Sequence, residues 1–315
     1  MSAVAGRSGI LLVDKPRGIT SHDAVSRTRK AAGTKKVGHA GTLDPMATGL
    51  LVLGINSATR LLTFVVGLDK EYLATIRLGS STTTDDAEGE PVEVASAASV
   101  AAISAAAAET DLHNFLGTIN QVPSSVSAIK VDGKRAYTLA RAGETVELAP
   151  RSITISTIEL LGTRAGDGFF DLDVRVECSS GTYIRAIARD LGAALGVGGH
   201  LTALRRTRIG PFSVDGAIST EELDVATALL SPADTAGRLF PTWHLSTSEA
   251  IDLGNGKQIP LTLDQAPDGL IAAVDPLGHL VGLVERNGAR AKTVANFPRD
   301  EPAEAASSAP VESTQ

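Results

Sequence analysis

A glycine-rich loop that carries one carboxylate is the first candidate for chemistry. Between Gly38 and Gly49 the chain has three glycines and a proline with no apolar period, and Asp44 stands directly before Pro45. An ionised carboxylate can serve as a nucleophile or exchange a proton, and loops between rigid elements commonly carry such groups. An aspartate before a proline is also what a turn uses, so Asp44 by itself is more often structural.

Several familiar catalytic and cofactor patterns are missing from the sequence. It has no glycine-rich loop ending in Gly-Lys-Ser/Thr, no His-Glu-x-x-His and no Gly-x-Ser-x-Gly. The glycines at 196, 198 and 199 follow a predicted helix, which is the wrong context for a dinucleotide-binding turn. The single cysteine, Cys178, excludes an internal disulfide and a multi-cysteine metal site. We therefore expect neither a cofactor nor a metal.

Rigid elements are predicted on both sides of the loop. Residues 10–13 form an apolar run that predicts a buried strand. A helix is expected to begin after Thr20 or Ser21 and to end at Gly33. Beyond the loop, residues 50–53 predict another buried strand. The loop is thus expected to be held at both ends.

Two further elements carry polar side chains of interest. Residues 72–78 alternate in the manner of a strand with one buried face, which includes Tyr72. After a turn and cap at 179–182, a helix with an apolar stripe is predicted, and Arg185 falls in its first turn, off that stripe. The alanine-rich residues 97–115 also predict a helix.

Charge is unevenly distributed over the 315 residues, whose formal net charge is −7. Residues 241–315 contain ten acidic and five basic residues. Between Asp23 and Asp44 all five charged residues are basic: Arg27, Arg29, Lys30, Lys35 and Lys36. A second basic cluster comprises Arg205, Arg206 and Arg208. Such clusters can follow a phosphate backbone, although solvated helix faces would also explain them.

The ends of the chain indicate location and organisation. The first residues lack the apolar stretch of a secretion signal, and no run reaches the roughly 18 apolar residues of a membrane span, so we expect a cytoplasmic protein. Residues 231–241 are interpreted as a connector, and short strands after Trp243 predict a small β domain. Residues 298–315 lack apolar side chains to bury and predict a disordered tail.

The loop sequence resembles the signature of a known family. Fourteen residues from Gly38 to Leu51, GHAGTLDPMATGLL, closely match the TruB family of tRNA pseudouridine synthases. Further family motifs follow in order: Asp14-Lys15-Pro16-x-Gly18, Lys70-x-Tyr72, Leu78-Gly79, Thr82-x-Thr84-x-Asp86-x-x-Gly89, Gln121-x-Pro123, Ser127-Ala128-x-Lys130-x-x-Gly133-Lys134-x-x-Tyr137 and Ser180-Gly181-Thr182-Tyr183-Ile184-Arg185. Val126 and Asp85 depart from the family pattern, and we expect them to alter local RNA contacts rather than the reaction.

The resemblance implies an α+β fold with a mixed, largely antiparallel sheet and flanking helices that form a catalytic cleft, plus a small C-terminal β-rich (PUA-like) domain. We place the catalytic domain at residues 9–230, the RNA-binding domain at 243–297 and the tail at 298–315. The implied activity is isomerisation of uridine 55 in the tRNA T-arm to pseudouridine after base flipping. The implied partner is the T-arm stem-loop of tRNA, and we expect a monomer without an obligatory protein partner.

The resemblance also implies roles for individual residues. Asp44 is the expected catalytic carboxylate, Arg185 its charge partner, and Tyr72 the side chain that stacks on the target base and helps remove the C5 proton. A buried carboxylate needs such a fixed cation, because desolvation favours its neutral form. The expected substrate-binding residues are His39, Tyr183, Lys15 and Leu204. The expected RNA-backbone contacts are Arg27, Arg29, Lys30, Lys35, Lys36, Arg205 and Arg206.

Three other functions compete with this interpretation. A tRNA-folding chaperone without catalysis would need only the basic surface and the C-terminal domain. A glycosidase-like hydrolase would need a second catalytic carboxylate, and none is evident near Asp44 in the sequence. A guide-RNA-dependent relative of the family would need protein partners.

Overall fold

The structure is a computed structural model that describes residues 6–124, 130–131, 134–135, 148–261 and 268–300. Val126, most of the motif from Ser127 to Tyr137 and residues 301–315 of the expected tail lie outside this range. The chain forms two compact units. The first unit comprises Met1–Leu43, Leu51–Val66 and Val214–Gln315, and the second comprises Asp44–Leu50 and Gly67–Ser213.

The described residues contain nineteen strands and eight α-helices. The strands are β1 (Gly9–Lys15), β2 (Val37–His39), β3 (Thr48–Ile55), β4 (Lys70–Leu78), β5 (Ser80–Thr82), β6 (Pro91–Val94), β7 (Gly117–Gln121), β8 (Lys130–Val131), β9 (Lys134–Arg135), β10 (Arg151–Gly166), β11 (Phe169–Cys178), β12 (Gly199–Ile209), β13 (Phe212–Ser213), β14 (Ile218–Ser219), β15 (Thr242–His244), β16 (Ile259–Pro260), β17 (Leu270–Val274), β18 (Leu280–Asn287) and β19 (Arg290–Asn296). The helices are α1 (Ser21–Ala32), α2 (Leu62–Val66), α3 (Ala97–Ala101), α4 (Ala105–His113), α5 (Ile184–Ala194), α6 (Val225–Ala228), α7 (Pro232–Leu239) and α8 (Thr247–Gly254).

In the N-terminal part of the first unit, strands lie in the order β14-β1-β3, with β2 antiparallel to β3. Helix α1 begins at a capping box in which the Thr20 side chain accepts from the backbone of Asp23 and the Asp23 carboxylate accepts from the backbone of Thr20. It ends at Gly33, whose φ of 68° is readily adopted only by glycine. Both predicted ends of α1 are confirmed. Its apolar face packs on a buried cluster that includes Leu11, Val25 and Leu53.

The C-terminal part of the first unit contains a five-stranded sheet in the order β15-β17-β18-β19-β16. Its core includes Trp243, Ile271 and Val284, and the strands predicted from the sequence after Trp243 are confirmed. The connector predicted at 231–241 is wrong, because these residues contain helix α7. Ser231 caps that helix by accepting from Asp234 N, and proline occupies its first turn.

The second unit is built on antiparallel strands in the order β12-β4-β11-β10-β7. Strand β12 also pairs in parallel with the first residues of β3. The β4 side chains alternate as predicted, with Tyr72 on the buried face. The opposite face carries cross-strand ion pairs, in which Arg175 contacts Glu71 at 3.2 Å and Glu159 at 3.0 Å.

Gly49 joins the loop that carries Asp44 to this sheet. Gly49 has a φ of +102°, and a Cβ atom there would lie 2.2 Å from the carbonyl oxygen of Arg206. Strands β3 and β12 therefore approach more closely at this point than any side chain would permit.

The predicted α+β fold is confirmed, with a mixed, largely antiparallel sheet, flanking helices and a C-terminal β-rich sheet. The helix predicted over 97–115 is divided into α3 and α4, each capped by a serine. The loop predicted from Gly38 to Gly49 is shorter than expected, because its ends join β2 and β3. No helix among the described residues is both long and apolar enough to cross a membrane. The domain boundaries proposed from the sequence stay a prediction.

Candidate active site

Asp44 opens the turn between the two strands that flank the loop. Its backbone carbonyl accepts from Ala47 N at 3.1 Å, which closes the turn around Pro45. Its side chain is 37% exposed, and one carboxylate oxygen lies 3.0 Å from Nη2 of Arg185. The aspartate is therefore both anchored by a cation and open to a ligand.

Arg185 lies in the first turn of α5, as predicted, but it is buried with only 4% exposure. Burial here includes a residue beside the predicted apolar stripe, because Arg185 faces two loops of the same unit. Its Nη1 donates to the carbonyl of Thr84 at 2.7 Å and lies 3.4 Å from Oδ2 of Asp86. Three acceptors from two loops thus fix the planar guanidinium.

Asp86 is a second carboxylate on the same guanidinium, and its role was not found from the sequence. It is 4% exposed and accepts from the Thr84 hydroxyl at 2.6 Å and from Glu88 N at 3.0 Å. These bonds fold the 82–89 loop around it. The Thr84-x-Asp86 motif was the available signal, but the contact with Arg185 joins residues about a hundred positions apart.

The two aspartates have different surroundings, which suits different tasks. Asp86 is buried and bonded within its own loop, so it fixes the Arg185 guanidinium from the protein interior. Asp44 has no comparable enclosure and presents its carboxylate where a ligand can reach it. This arrangement yields one accessible carboxylate beside a buried guanidinium.

The neighbouring residue Asp85 adopts a φ of 58°, which is uncommon outside glycine. Its carboxylate lies 3.4 Å from Arg189, one helical turn after Arg185. Burial raises the pKa of the Asp85 carboxyl, and the Arg189 charge opposes that rise. Asp85, which departs from the family pattern, therefore has an ion-pair partner on α5.

Tyr72 is 8% exposed and belongs to the same buried region. Burial raises the pKa of its phenol, while the charge and a side-chain hydrogen bond of Arg206 lower it. The charge of Asp44 raises the Tyr72 pKa as well. The structure thus brings together Asp44, Arg185 and Tyr72.

Arg206 does not lie where the sequence suggested. It is 1% exposed, and its Nε donates to the carbonyl of Leu50 at 2.8 Å. Its burial places the guanidinium away from solvent, and the predicted contact of Arg206 with the RNA backbone stays a prediction. Arg205, its neighbour on β12, points to the other face and is partly exposed, so its predicted RNA contact stays a prediction.

Two predicted substrate-binding residues of the second unit have defined places. Tyr183 precedes α5, and its backbone N and carbonyl are bonded to the Gln121 side chain at 2.8 and 3.1 Å. Leu204 lies on the buried face of β12, opposite Ala74 of β4. Substrate contact stays a prediction for both side chains.

The remaining predicted residues belong to the first unit. Lys15 is fully buried, and its ammonium donates to the carbonyls of Pro16 and Ile19 at 3.0 and 2.8 Å; its predicted substrate contact stays a prediction. His39 lies half-buried on β2, and Arg29 donates to the carbonyl of Val37. The exposed members of the basic cluster are Arg27, Lys30, Lys35 and Lys36. RNA contact by this cluster stays a prediction.

Lys70 and Cys178 complete the buried surroundings of Tyr72. Burial lowers the pKa of the Lys70 ammonium to about 8, and the charge of Arg206 lowers it further. Burial raises the pKa of the Cys178 thiol to about 11, so the cysteine is a neutral strand residue and a poor nucleophile. Among the described residues, no group of three His, Cys, Asp or Glu side chains could hold a metal.

The Lys70 environment predicts an unusual dependence of stability on pH. The folded pKa of about 8 lies below the ordinary 10.5, so below pH 8 both states are protonated and the folded state bears the full cost of burial. Stability should rise by up to about 3 kcal/mol between pH 8 and 10.5. We expect Lys70→Met to gain most of that stability at pH 7 and to abolish the rise.

Urea unfolding of both proteins at several pH values between 7 and 10.5 measures this effect. Lys257→Met is a suitable control, because Lys257 is 65% exposed and should leave the rise between pH 8 and 10.5 intact. A wild-type stability that stays level over this interval would contradict the role given to Lys70.

Comparison with known proteins matches almost the whole chain. The model of the TruB family pseudouridylate synthase N-terminal domain matches residues 29–184. A tRNA pseudouridylate synthase B C-terminal domain matches residues 185–239, and a tRNA pseudouridine synthase II C-terminal domain matches residues 240–298.

Named relatives are similar over nearly their full lengths. The tRNA pseudouridine synthase B of Leifsonia xyli subsp. xyli is 56% identical over 295 residues, which cover 93% of this chain and 98% of the relative. The tRNA pseudouridine synthase B of Rhodococcus jostii is 53% identical over 290 residues, covering 91% and 93%.

Solved structures share the fold at lower identity. A chain from an H/ACA RNP bound to a substrate RNA containing 2′-deoxyuridine has a TM-score of 0.67 and 22% identity, and the match covers 92% of this chain and 85% of the other. A chain from a Cbf5-Nop10-Gar1 complex has the same TM-score and coverage with 24% identity. These two likenesses support the fold alone.

Proposed function

The chain belongs to the TruB family of tRNA pseudouridine synthases, and we propose that it isomerises the uridine at position 55 in the tRNA T-arm to pseudouridine. The observation that carries the proposal is the half-exposed carboxylate of Asp44 on the buried guanidinium of Arg185. A chaperone would need no such pair. The family relationship and this geometry therefore both favour catalysis.

The reaction requires three changes in the substrate. The N-glycosidic bond of the uridine must break, the base must rotate, and C5 must join the ribose C1′. Asp44 supplies the carboxylate for the covalent step, either at the ribose or at C6 of the base. Arg185 orients that carboxylate, because its buried guanidinium lies 3.0 Å from one carboxylate oxygen.

The uridine must leave the stack of the T-loop before it can react. Extruding a base costs a few kcal/mol, which contacts in the pocket must offset. Tyr72 offers an aromatic ring for the extruded base, and Leu204 and Tyr183 are proposed to line the pocket. The first-unit basic cluster, with its exposed lysines at 30, 35 and 36, is proposed to contact the RNA backbone.

Release of tritium from uridine labelled at C5 tests the activity directly. The substrate is a T-arm stem-loop transcript, and a matched transcript with cytidine at position 55 and label in its other uridines is the control. We expect release from the first transcript and none from the second. Binding of the T-arm without release would favour the chaperone, and release from the control transcript would contradict the choice of position 55.

Tyr72→Phe separates a packing tyrosine from one that takes part in the reaction. The ring remains, so we expect stacking, folding and T-arm affinity to be retained. Loss of the hydroxyl should lower the rate by about 10² to 10⁴-fold, as when a group that transfers a proton is removed. Single-turnover tritium release, thermal unfolding and T-arm binding measure the three quantities. A wild-type rate would assign Tyr72 to packing alone.

We also propose that the enzyme acts in the cytoplasm as a monomer without an obligatory protein partner. The cluster of Asp44, Arg185, Asp86 and Tyr72 comes from a single chain, which supports this proposal. Light scattering during gel filtration, combined with assay of the purified chain, tests it. A requirement for a second protein would contradict it.

A further inference from the structure

The inference below rests on the proposed function. Because Tyr72 is buried, a negative charge on its phenol oxygen is energetically costly. A phenol accepts a proton only as phenolate, and burial at 8% exposure opposes that charge. Asp44 adds a negative charge nearby, which opposes it further. A group that stabilises negative charge on the Tyr72 oxygen is therefore required if Tyr72 is to receive the C5 proton.

Arg206 is placed to supply this stabilisation. In the antiparallel pairing of β12 with β4, Arg206 stands directly opposite Tyr72. Side chains at paired positions project from the same face of a sheet, and here that face is buried. The Arg206 guanidinium lies close enough to lower the pKa of the Tyr72 phenol through its charge and a hydrogen-bonding interaction.

Arg206 is attached at its other end to the strand that follows the catalytic loop. Its Nε donates to the Leu50 carbonyl at 2.8 Å, and its backbone pairs with Gly49. Asp44 lies six residues before Leu50 in the chain. One buried side chain thus connects the phenol with the base of the catalytic loop.

The other groups near Tyr72 cannot replace Arg206. Cys178 lies on β11 opposite Lys70, and its pKa of about 11 leaves it a neutral thiol. Lys70 lies two residues away on β4, and its pKa of about 8 means that it readily loses its charge. Arginine stays protonated throughout this range. Arg206 is therefore the permanent cation that faces the phenol.

We propose that Arg206 is a positioning residue of the isomerisation, which holds the Tyr72 hydroxyl as proton acceptor for C5 and aligns it with the catalytic loop. The C5–H bond breaks, its electron pair forms the C5–C6 double bond of the product, and the phenolate becomes a phenol. The phenol returns this proton to solvent, and N1 of the product takes one up, so no co-reactant is consumed.

Arg206→Gln and Arg206→Lys test this role. For Arg206→Gln we expect single-turnover tritium release to fall about 100-fold, with unchanged affinity for the T-arm. Its rate profile should move by about one pH unit to higher pH, because the phenolate loses its cation. Deuterium at C5 should slow the variant more than the wild type, because proton removal becomes the slow step.

Arg206→Lys keeps a charge but cannot bond to both Leu50 and Tyr72, so we expect a loss of about 10-fold and a smaller pH shift. If Arg206→Gln fails to fold, Arg206→Lys provides the test. A wild-type rate together with a wild-type isotope effect in Arg206→Lys would overturn the proposal. Arg175→Gln is the matched control, because Arg175 lies on the opposite face of the same sheet. Its pH profile should equal that of the wild type.

The outcomes also separate this inference from the proposed function. If Arg206→Gln bound the T-arm more weakly but kept the wild-type pH profile, Arg206 would be assigned to RNA binding. That result would overturn its positioning role. A rate loss that follows only the loss of thermal stability would make it purely structural. If the wild type itself releases no tritium, the proposed function fails first.

Discussion

Asp44→Asn should abolish tritium release from the T-arm while leaving the fold intact. Asparagine has the size of aspartate and keeps an oxygen that can accept from Arg185, but it lacks the ionised carboxylate. We expect the single-turnover rate to fall by at least about 10⁴-fold, the order of loss when a nucleophile is removed. The Asp44 side chain is 37% exposed, so thermal stability should change little.

The matched control for this variant is Asp69→Asn. Asp69 belongs to the same unit, is 54% exposed and pairs with Arg208, so its loss should leave the rate unchanged. T-arm binding by Asp44→Asn, measured separately, should persist. Equal tritium release by Asp44→Asn and the wild type would end the assignment of Asp44 as the catalytic carboxylate.

Arg185→Lys should damage both stability and activity. The guanidinium contacts Asp44, Asp86 and the Thr84 carbonyl together, and a single ammonium cannot reproduce that planar arrangement. Breaking a buried ion pair typically costs about 3 to 5 kcal/mol when one charge is left unpaired, and Arg185→Met should approach this loss. Arg185→Lys should lose less stability, with a rate reduced by about 10² to 10³-fold.

A double variant separates the two effects. In Arg185→Met with Asp86→Asn, the buried carboxylate that would lack a partner is gone, so much of the stability should return. Activity should not return, because Asp44 still lacks its cation. Urea unfolding and tritium release measure the two quantities. Arg189→Lys, one turn further along α5 and 28% exposed, is the control that should retain the rate.

Local patterns in the sequence predicted the elements that local interactions determine. The ends of α1 followed from Thr20 and Gly33, since caps act within a few residues. The buried face of β4 followed from strict alternation. Helix α7 was missed, although Ser231 before Pro232 is a helix-start signal, because the short segment was interpreted as a linker.

Long-range contacts in the site could not be predicted from the residues alone. The pairing of Asp44 with Arg185 came from the family resemblance, and the structure places the two side chains 3.0 Å apart. Asp86 was quoted in a motif without a role, since only the folded chain brings its loop to α5. The charged run around Arg206 is typical of a surface, and its burial depends on how β12 pairs with β3 and β4.

The close contact at Gly49 limits how this enzyme can be redesigned. A library that randomises the loop to change substrate choice should keep codon 49 fixed as glycine. Any larger residue there would push strand β3 from Arg206, whose carbonyl is already 2.2 Å from where a Cβ would stand. Variants at position 49 would then be inactive because the backbone is displaced. A screen for new specificity would wrongly attribute this inactivity to poor substrate binding.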